Sequence, residues 1–500
     1  MASMVRFWKE NQARIVFTLL ASLYLLLLFY AYLSSIYILL GLPLVGIFVY
    51  LCIADFKWLW YLMVFLMPLS VNDPKFFGPF AGITFPTDLL AIAMLGIVTM
   101  KCLSEPEAFA HYRRNPIVMV VALNLLWTIF ACVATTMPVV SWKYFAATLW
   151  MAGGFFYMPL LLFQQTGTIF RYFQLTVIAF SLAFVTVMLL FLSTGRNPFG
   201  LRFNPSPFFV DHTVFGAFIA MWIPILVLLS FAGNIDHRGR WLARVGLLIS
   251  CLGLFFSYSR GAWASCIAAL VVMVVVLLGK WARRLLLPAM MLGLLLGTLV
   301  WYADMHQDKN ATNNDAVSRK NLSEHIRSIT NFKTDYSNRE RVNRWRCAWR
   351  MFLERPAFGW GPGTYTFEYA AFQTSQSRTE VSTNRGDNGS AHNEWLLSLS
   401  ERGVLGPVLL TCLFLVPLYR GLRGYHTASR RNTRLLYFGT TFSLITYDIH
   451  AFVNNFMDQD KVGGSYLALM AVIAALDVHV LPKEKGMPQE SLGWSFVSKR

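Results

Sequence analysis

The chain has 500 residues, of which 56% are hydrophobic and only 14% charged, with a formal net charge of +17. That balance excludes an ordinary soluble domain and points to an all-α polytopic membrane protein, whose backbone polar groups inside the bilayer are satisfied within helices. Most of the basic excess lies in short interhelical loops and in the Lys483–Arg500 tail, where topology and anionic lipid account for it, so the bilayer is an expected partner and nucleic acid is not.

Apolar runs follow one another near 15–33, 36–53, 57–70, 84–102, 116–137, 143–163, 172–193, 210–232, 241–257, 262–279, 285–302, 396–418, 435–453 and 464–481. Most are long enough for a hydrocarbon layer of about 30 Å, which predicts roughly 12–14 transmembrane helices. The run near 57–70 is the shortest and could be re-entrant. The first run is followed at once by another and lacks a small-residue cleavage site, so it reads as a retained span. Four regions result: an N-terminal transmembrane bundle over 1–301, a large external loop over 302–395 with short amphipathic helices, transmembrane helices over 396–482, and a cytoplasmic tail over 483–500.

Orientation follows from the basic residues of the short loops. With the N-terminus inside, Arg113 and Arg114, Arg171, His237 to Arg240, Lys280 with Arg283 and Arg284, and the group Arg420, Arg423, Arg430, Arg431 and Arg434 all fall on the cytoplasmic side. The opposite loops are poorer in basic residues. The long polar segment after Tyr302 is the exception, and its length exempts it from the rule. Cys347 is the one cysteine within that segment, and no zinc-ligand spacing or disulfide framework is present, so neither a metal nor another cofactor is expected.

Three features on the predicted outer side carry chemistry. The turn Ser257-Tyr258-Ser259-Arg260-Gly261 joins two spans; an arginine there snorkels to the interface or meets an anion, and Tyr258 adds a hydroxyl. From Ser337 to Tyr365 runs SNRERVNRWRCAWRMFLERPAFGWGPGTY, in which Arg341, Trp345, Ala348 and Phe352 recur at helical spacing, predicting an amphipathic helix that ends before Pro356. Arg341 and Arg344 could aim two guanidinium forks at one phosphate or diphosphate, or the helix could rest as a cationic surface on lipid headgroups. The glycines of GWGPGTY let the backbone turn sharply and approach a ligand closely, or make an ordinary turn and no more.

The third feature is SAHNEWLLSLSERGVLG, Ser390 to Gly406, entering an apolar run. His392 there is either an interfacial capping residue or a base, an imidazole with a pKa near about 6.5 being suited to proton transfer around neutrality. Asn393 and Glu394 could orient the ring or contact sugar hydroxyls, or simply cap the helix. His212 and His450 lie near span ends on the same predicted face, and the stretch after His450 brings Asn455, Asp458, Asp460 and Lys461 there. Asp88, Lys143 and Asp211 are interfacial charges with no partner evident in the sequence.

SYSRGA, then R-x-x-x-W-x-x-A-x-x-x-F with P-x-x-G-W-G-P-G, then A-H-N-E-W-L-x-x-L-x-E-x-G-x-x-G, in this order over about 255 to 410, resembles the bacterial O-antigen ligase and polymerase superfamily. Arg202 and PSPFFVDHT extend the likeness weakly toward the N-terminus. The resemblance implies a multi-pass glycosyltransferase of the inner membrane with its site facing the periplasm. It would move a glycan from an undecaprenyl-diphosphate-linked donor to an acceptor hydroxyl on a glycan or lipid A-core. It assigns Arg260 and Arg341, with Arg344 as a possible partner, to the donor diphosphate, and His392 to the acceptor. A repeat-unit polymerase of the same superfamily is the alternative; a polysaccharide or lipid transporter is the reading from another class.

Overall fold

The computed structural model describes residues 55–72, 82–193, 204–231, 236–277, 284, 336–375, 378, 382 and 389–490. The predicted runs at 15–33, 36–53 and 285–302, and Arg202, lie outside them. By internal contacts the chain divides into Met1–Leu59 and Trp60–Arg500, and the second unit holds every candidate site residue.

The chain is a polytopic all-α membrane protein, and nine of the helices among the described residues are long and apolar enough to cross a bilayer. In chain order they are α1 (Thr87–Ser104), α2 (Pro116–Val133), α3 (Pro138–Leu162), α4 (Thr166–Ser193), α5 (His212–Ser230), α6 (His237–Phe256) and α7 (Arg260–Leu277). Next come α8 (Tyr336–Glu354) and α9 (Glu394–Arg402), then α10 (Leu405–Thr427), α11 (Arg431–His450) and a last span over Asp460–Glu484, α12; α8, α9 and α11 stand outside the set of nine, although the apolar run over 435–453 predicts a span at α11. The run near 57–70 is a shorter helix, Phe56–Leu66, that tightens into a 3-10 turn at Met67–Leu69.

Local chemistry starts these helices where the sequence places them. Asn115 accepts from the Ile117 amide with Pro116 at the first helical position, and the Asp236 side chain accepts from Gly239 at the start of α6. In α3 the helix widens into a π turn over Gly153–Tyr157, where Gly153 lies so close to α1 that a Cβ would meet the Leu95 backbone at 2.9 Å.

Burial separates the middle of the bundle from its lipid-facing rim. The spans His212–Ser230 and Asp460–Glu484 are 83% and 72% buried, whereas Pro116–Val133 is 33% buried and leaves Met119, Leu123, Leu126 and Phe130 exposed at helical spacing. An apolar stripe on a buried-backbone helix is the surface a hydrocarbon layer accepts. α11 is less hydrophobic than the spans around it yet almost wholly buried, because its polar residues Thr440, Thr441 and Ser443 face other helices.

One end of the bundle collects the basic loops. There the Tyr112 hydroxyl donates to the Leu160 carbonyl at 2.7 Å, and Glu484 accepts from the Ser429 and Arg430 amides at 2.9 Å each. The other end carries the 257–260 turn, α8, α9 and the segment after His450. The sequence predicts one apolar run over 396–418, but the structure breaks it: α9 stops at Gly403, whose φ of 66° is left-handed, and α10 starts afresh at Leu405. His392 therefore precedes a short separate helix and not a membrane span.

Candidate functional site

The elements beneath His392 are fixed by hydrogen bonds that leave few choices. Asn393 caps α9 through the Leu396 amide at 2.9 Å and donates from Nδ2 to the Phe452 carbonyl at 2.8 Å. Glu394 accepts from the Tyr447 hydroxyl at 2.6 Å and the Met457 amide at 2.9 Å, while its own amide donates to the Ala451 carbonyl. These two side chains thus bolt α9 to the end of α11. Burial pushes the Glu394 carboxyl up to about 7, an effect only partly offset by its two donors.

The opposite end of α9 shows what GWGPGTY does. The last carbonyls of a helix have no intrahelical partner. Here Leu399 receives the Gly403 amide, Ser400 the Trp360 amide, Glu401 the Gly361 amide, and Arg402 the Trp127 indole at 2.9 Å. The strap must lie against the helix to do this, so Gly359 (φ 70°) and Gly361 (φ 114°) have no room for a side chain: a Cβ would sit 2.4 Å from the Glu401 backbone and 1.9 Å from Thr135 Oγ1. The close approach anticipated for these glycines is made to α9 and to the α2–α3 turn. The Glu401 carboxylate holds the Tyr365 amide at 3.0 Å, and burial raises it to about 7.

α8 forms as the spacing predicts and buries Cys347, Ala348 and Met351 against Tyr365, Tyr369 and Ala391. That packing presents Arg344 to His392. Arg344 Nε is held by Glu340 at 2.9 Å, leaving NH1 3.2 Å from His392 Nε2 and 3.2 Å from the Ser390 carbonyl. On its other side, His392 Nδ1 lies 3.3 Å from Asn454 Oδ1, and Asn454 Nδ2 lies 2.9 Å from His450 Nε2. The consistent tautomer has Nδ1 donating to Asn454 and Nε2 accepting from Arg344. His392 itself sits at φ 49°, a left-handed backbone uncommon outside glycine.

The 257–260 turn meets this cluster from the side. Gly261, next to Arg260, abuts the chain of imidazoles: a Cβ there would lie 3.2 Å from His450 Cε1 and 3.5 Å from Asn454 Nδ2. Tyr258 adopts a left-handed φ of 47°, and Ser257 and Ser259 pack against Gly216 of α5. The residues just before α5 close the ring, since Asp211 Oδ1 accepts from the Thr213 and Val214 amides at 2.6 and 2.9 Å and its charge reaches His392. Arg341, Arg344, Asp211, Asn454 and His450 surround His392, with Arg260 one residue from the contact with His450. His212, the first residue of α5, follows Asp211 directly.

Asn454 and Asp211 extend what the sequence suggests. Asn454 carries no motif signal, and its role as the link between two histidines arises only when α11 and α9 pack together. Asp88 also finds partners: it accepts from the Thr84 amide at 2.7 Å and the Trp150 indole at 3.2 Å. Among the described residues, no three His, Cys, Asp or Glu side chains are grouped as a metal would need.

Burial, reinforced by the Arg341 and Arg344 charges, lowers His392 to about 4, against a weaker opposing pull from Asn454 and Asp211. The imidazole is therefore neutral throughout the ordinary pH range. The fold also disfavours its protonation. As pH falls below about 6.5 the unfolded chain takes up a proton that the folded site refuses until about 4, so stability declines across that window. His392→Gln is expected to flatten the slope of thermal midpoint against pH between about 6.5 and about 4.5; equal slopes in both proteins would contradict the assignment.

Residues 245–411, about a third of the chain and the part holding the turn, α8, the glycine strap and α9, match the family model described as O-antigen ligase. A search of curated proteins finds no match.

Proposed function

Since residues 245–411 place this chain in the O-antigen ligase and polymerase superfamily, we propose that it transfers a glycan from an undecaprenyl-diphosphate carrier to an acceptor hydroxyl on the periplasmic face of the inner membrane. The observation that carries the reading is the imidazole of His392 held between Arg344 and Asn454, at the end of the bundle opposite the basic loops. Arg341, Arg344 and Arg260 form the binding site for the diphosphate. Guanidinium forks suit its oxygens, and their positive charge stabilises the leaving group as the glycosidic bond lengthens.

The step balances without a cofactor. The acceptor oxygen attacks the anomeric carbon while its proton passes to His392 Nε2, and the sugar–phosphate bond breaks with its electron pair going to the diphosphate. Direct attack inverts the anomeric centre. The proton then leaves the imidazole to solvent.

Arg344 gives this site a built-in order of events. In the resting arrangement its NH1 occupies the lone pair of His392 Nε2, the atom that must take the proton. An arriving diphosphate draws the guanidinium away, with Glu340 keeping Nε in place as the pivot, and so frees the base only when donor is bound.

The test is transfer in proteoliposomes from a lipid-diphosphate glycan, with lipopolysaccharide core and a second carrier-linked repeat unit as competing acceptors; the acceptor consumed separates ligase from polymerase. Arg260→Ala is expected to raise the donor KM at least tenfold. Arg341→Lys should lose most of the activity despite keeping its charge, because an ammonium cannot form a bidentate fork. Near-normal turnover in Arg341→Lys would remove that residue from the clamp.

A further inference from the structure

A cavity of about 200 Å³ opens beside the candidate site and shares none of its arginines or His392. Asn72, Phe208, Phe209, Gln459, Asp460 and Lys461 line it. Its floor is a buried charge pair. Lys461, 5% exposed, holds Ser70 Oγ at 2.9 Å and the Ser70 carbonyl at 3.2 Å, lies 3.7 Å from Asp460 Oδ1, and sits 5.3 Å over the Phe209 ring. Ser70 Oγ also lies 3.1 Å from Asp460 Oδ2, so ammonium, hydroxyl and carboxylate form one closed set.

That composition selects a ligand class. A diphosphate would meet a wall whose cation is already compensated by a carboxylate, so the cavity does not favour an anion. An uncharged polyol fits better: the side-chain amides of Asn72 and Gln459 and the hydroxyls of Thr84 and Ser206 offer both donors and acceptors, and Phe208 adds an aromatic surface suited to the C–H side of a ring. The volume lies below that of a site for a drug-sized ligand and is suited to a single ring. The wall is also continuous with the candidate site, because Val210 lines the cavity and the next residue is Asp211, whose charge acts on His392.

Resting on the glycosyl-transfer reading, we infer that this cavity is a subsite for one uncharged sugar residue of a glycan substrate, placed beside the reacting centre by the 206–211 segment. It is separate from the diphosphate clamp, and it orients the glycan by reading ring hydroxyls. Acceptor and donor glycans share that chemistry.

The experiment uses the full chain in nanodiscs with three probes: delipidated lipopolysaccharide core oligosaccharide, a repeat-unit oligosaccharide released from its carrier, and inorganic pyrophosphate. Two variants probe the cavity. Asn72→Trp fills it from its exposed lip, and Phe208→Ala removes the ring. One oligosaccharide is expected to bind wild type, with the Kd rising at least tenfold in Asn72→Trp and at least threefold in Phe208→Ala while pyrophosphate binding is unchanged. Binding of the core marks an acceptor subsite, binding of the repeat unit a donor subsite. No saccharide binding to wild type, or the same affinity in both variants, overturns the inference. Because binding is read without turnover, a protein that binds saccharide but transfers nothing would defeat the reaction and leave the subsite standing. Full transfer with both KM values unchanged in Asn72→Trp would defeat the subsite alone.

Discussion

Replacing His392 with alanine is expected to lower the transfer rate by about 10² to 10⁴, the range a positioned acid–base group contributes. The argument is local. The His392 ring is fixed by Asn454 at 3.3 Å on Nδ1, so in the proposed reaction the loss of the ring would remove a preoriented proton acceptor that water cannot replace in the same geometry. The left-handed backbone at 49° supplies a control. Alanine inherits whatever strain that conformation stores, whereas asparagine tolerates it. His392→Asn should therefore express and unfold like wild type and still be inactive. If His392→Asn kept wild-type turnover, the imidazole would have no part in the reaction. Asn454→Ala should be milder, reducing turnover while sparing donor binding, because it frees the ring to rotate without removing it.

The second large effect is structural. Gly361→Ala is expected to cost about 2–6 kcal/mol, the sum of a disfavoured backbone and an overpacked contact. A Cβ at that position would lie 1.9 Å from Thr135 Oγ1 and 2.7 Å from Ser141 Oγ, with φ at 114°. Neither clash can relax without breaking the strap that supplies amides to the end of α9. Gly96 provides the contrast, since nothing lies within 4 Å of its would-be Cβ in the interior of α1. Gly96→Ala should be neutral or stabilising by about 0.5–1 kcal/mol. Thermal unfolding in detergent measures both, and equal midpoints for the two variants would refute the strap as a structural clamp.

Much of this architecture was readable in the sequence, for reasons visible in particular residues. Spans such as Pro116–Val133 announce themselves because a lipid-facing helix must be apolar over its whole length. The extent of α8 was readable too, since Arg341, Trp345, Ala348 and Phe352 repeat at the helical period and Pro356 bars continuation. That the 257–260 turn and the His392 segment share one side followed from topology, while their meeting through Gly261, His450 and Asn454 comes from the packing.

What stayed hidden depends on contacts between distant segments. The break at Gly403 leaves no mark in a hydropathy window, because Leu396 to Leu413 is apolar enough to hide a left-handed residue within it. Asn454 is one polar residue in the stretch Asn454 to Lys461, and only the packing of α9 on α11 turns it into the bridge between His392 and His450. The depressed basicity of His392 was equally beyond reach. The sequence suggests an imidazole of ordinary strength, while burial and the charges of two arginines make it a weaker base. GWGPGTY turns sharply as its glycines suggest, but the close approach expected toward a ligand is made to the end of a helix.

The interruption at Gly403 separates two mechanical duties. α10 is a membrane span packed along α2 and α11, and such spans accommodate a thicker or thinner hydrocarbon layer partly by tilting. His392 heads a separate short helix, moored to α11 through Asn393 and Glu394 and to the α2–α3 turn through the glycine strap. The joint between them interrupts the helical ladder, so the alignment of His392 with the arginines is expected to vary less with the bilayer's thickness than one unbroken helix would impose.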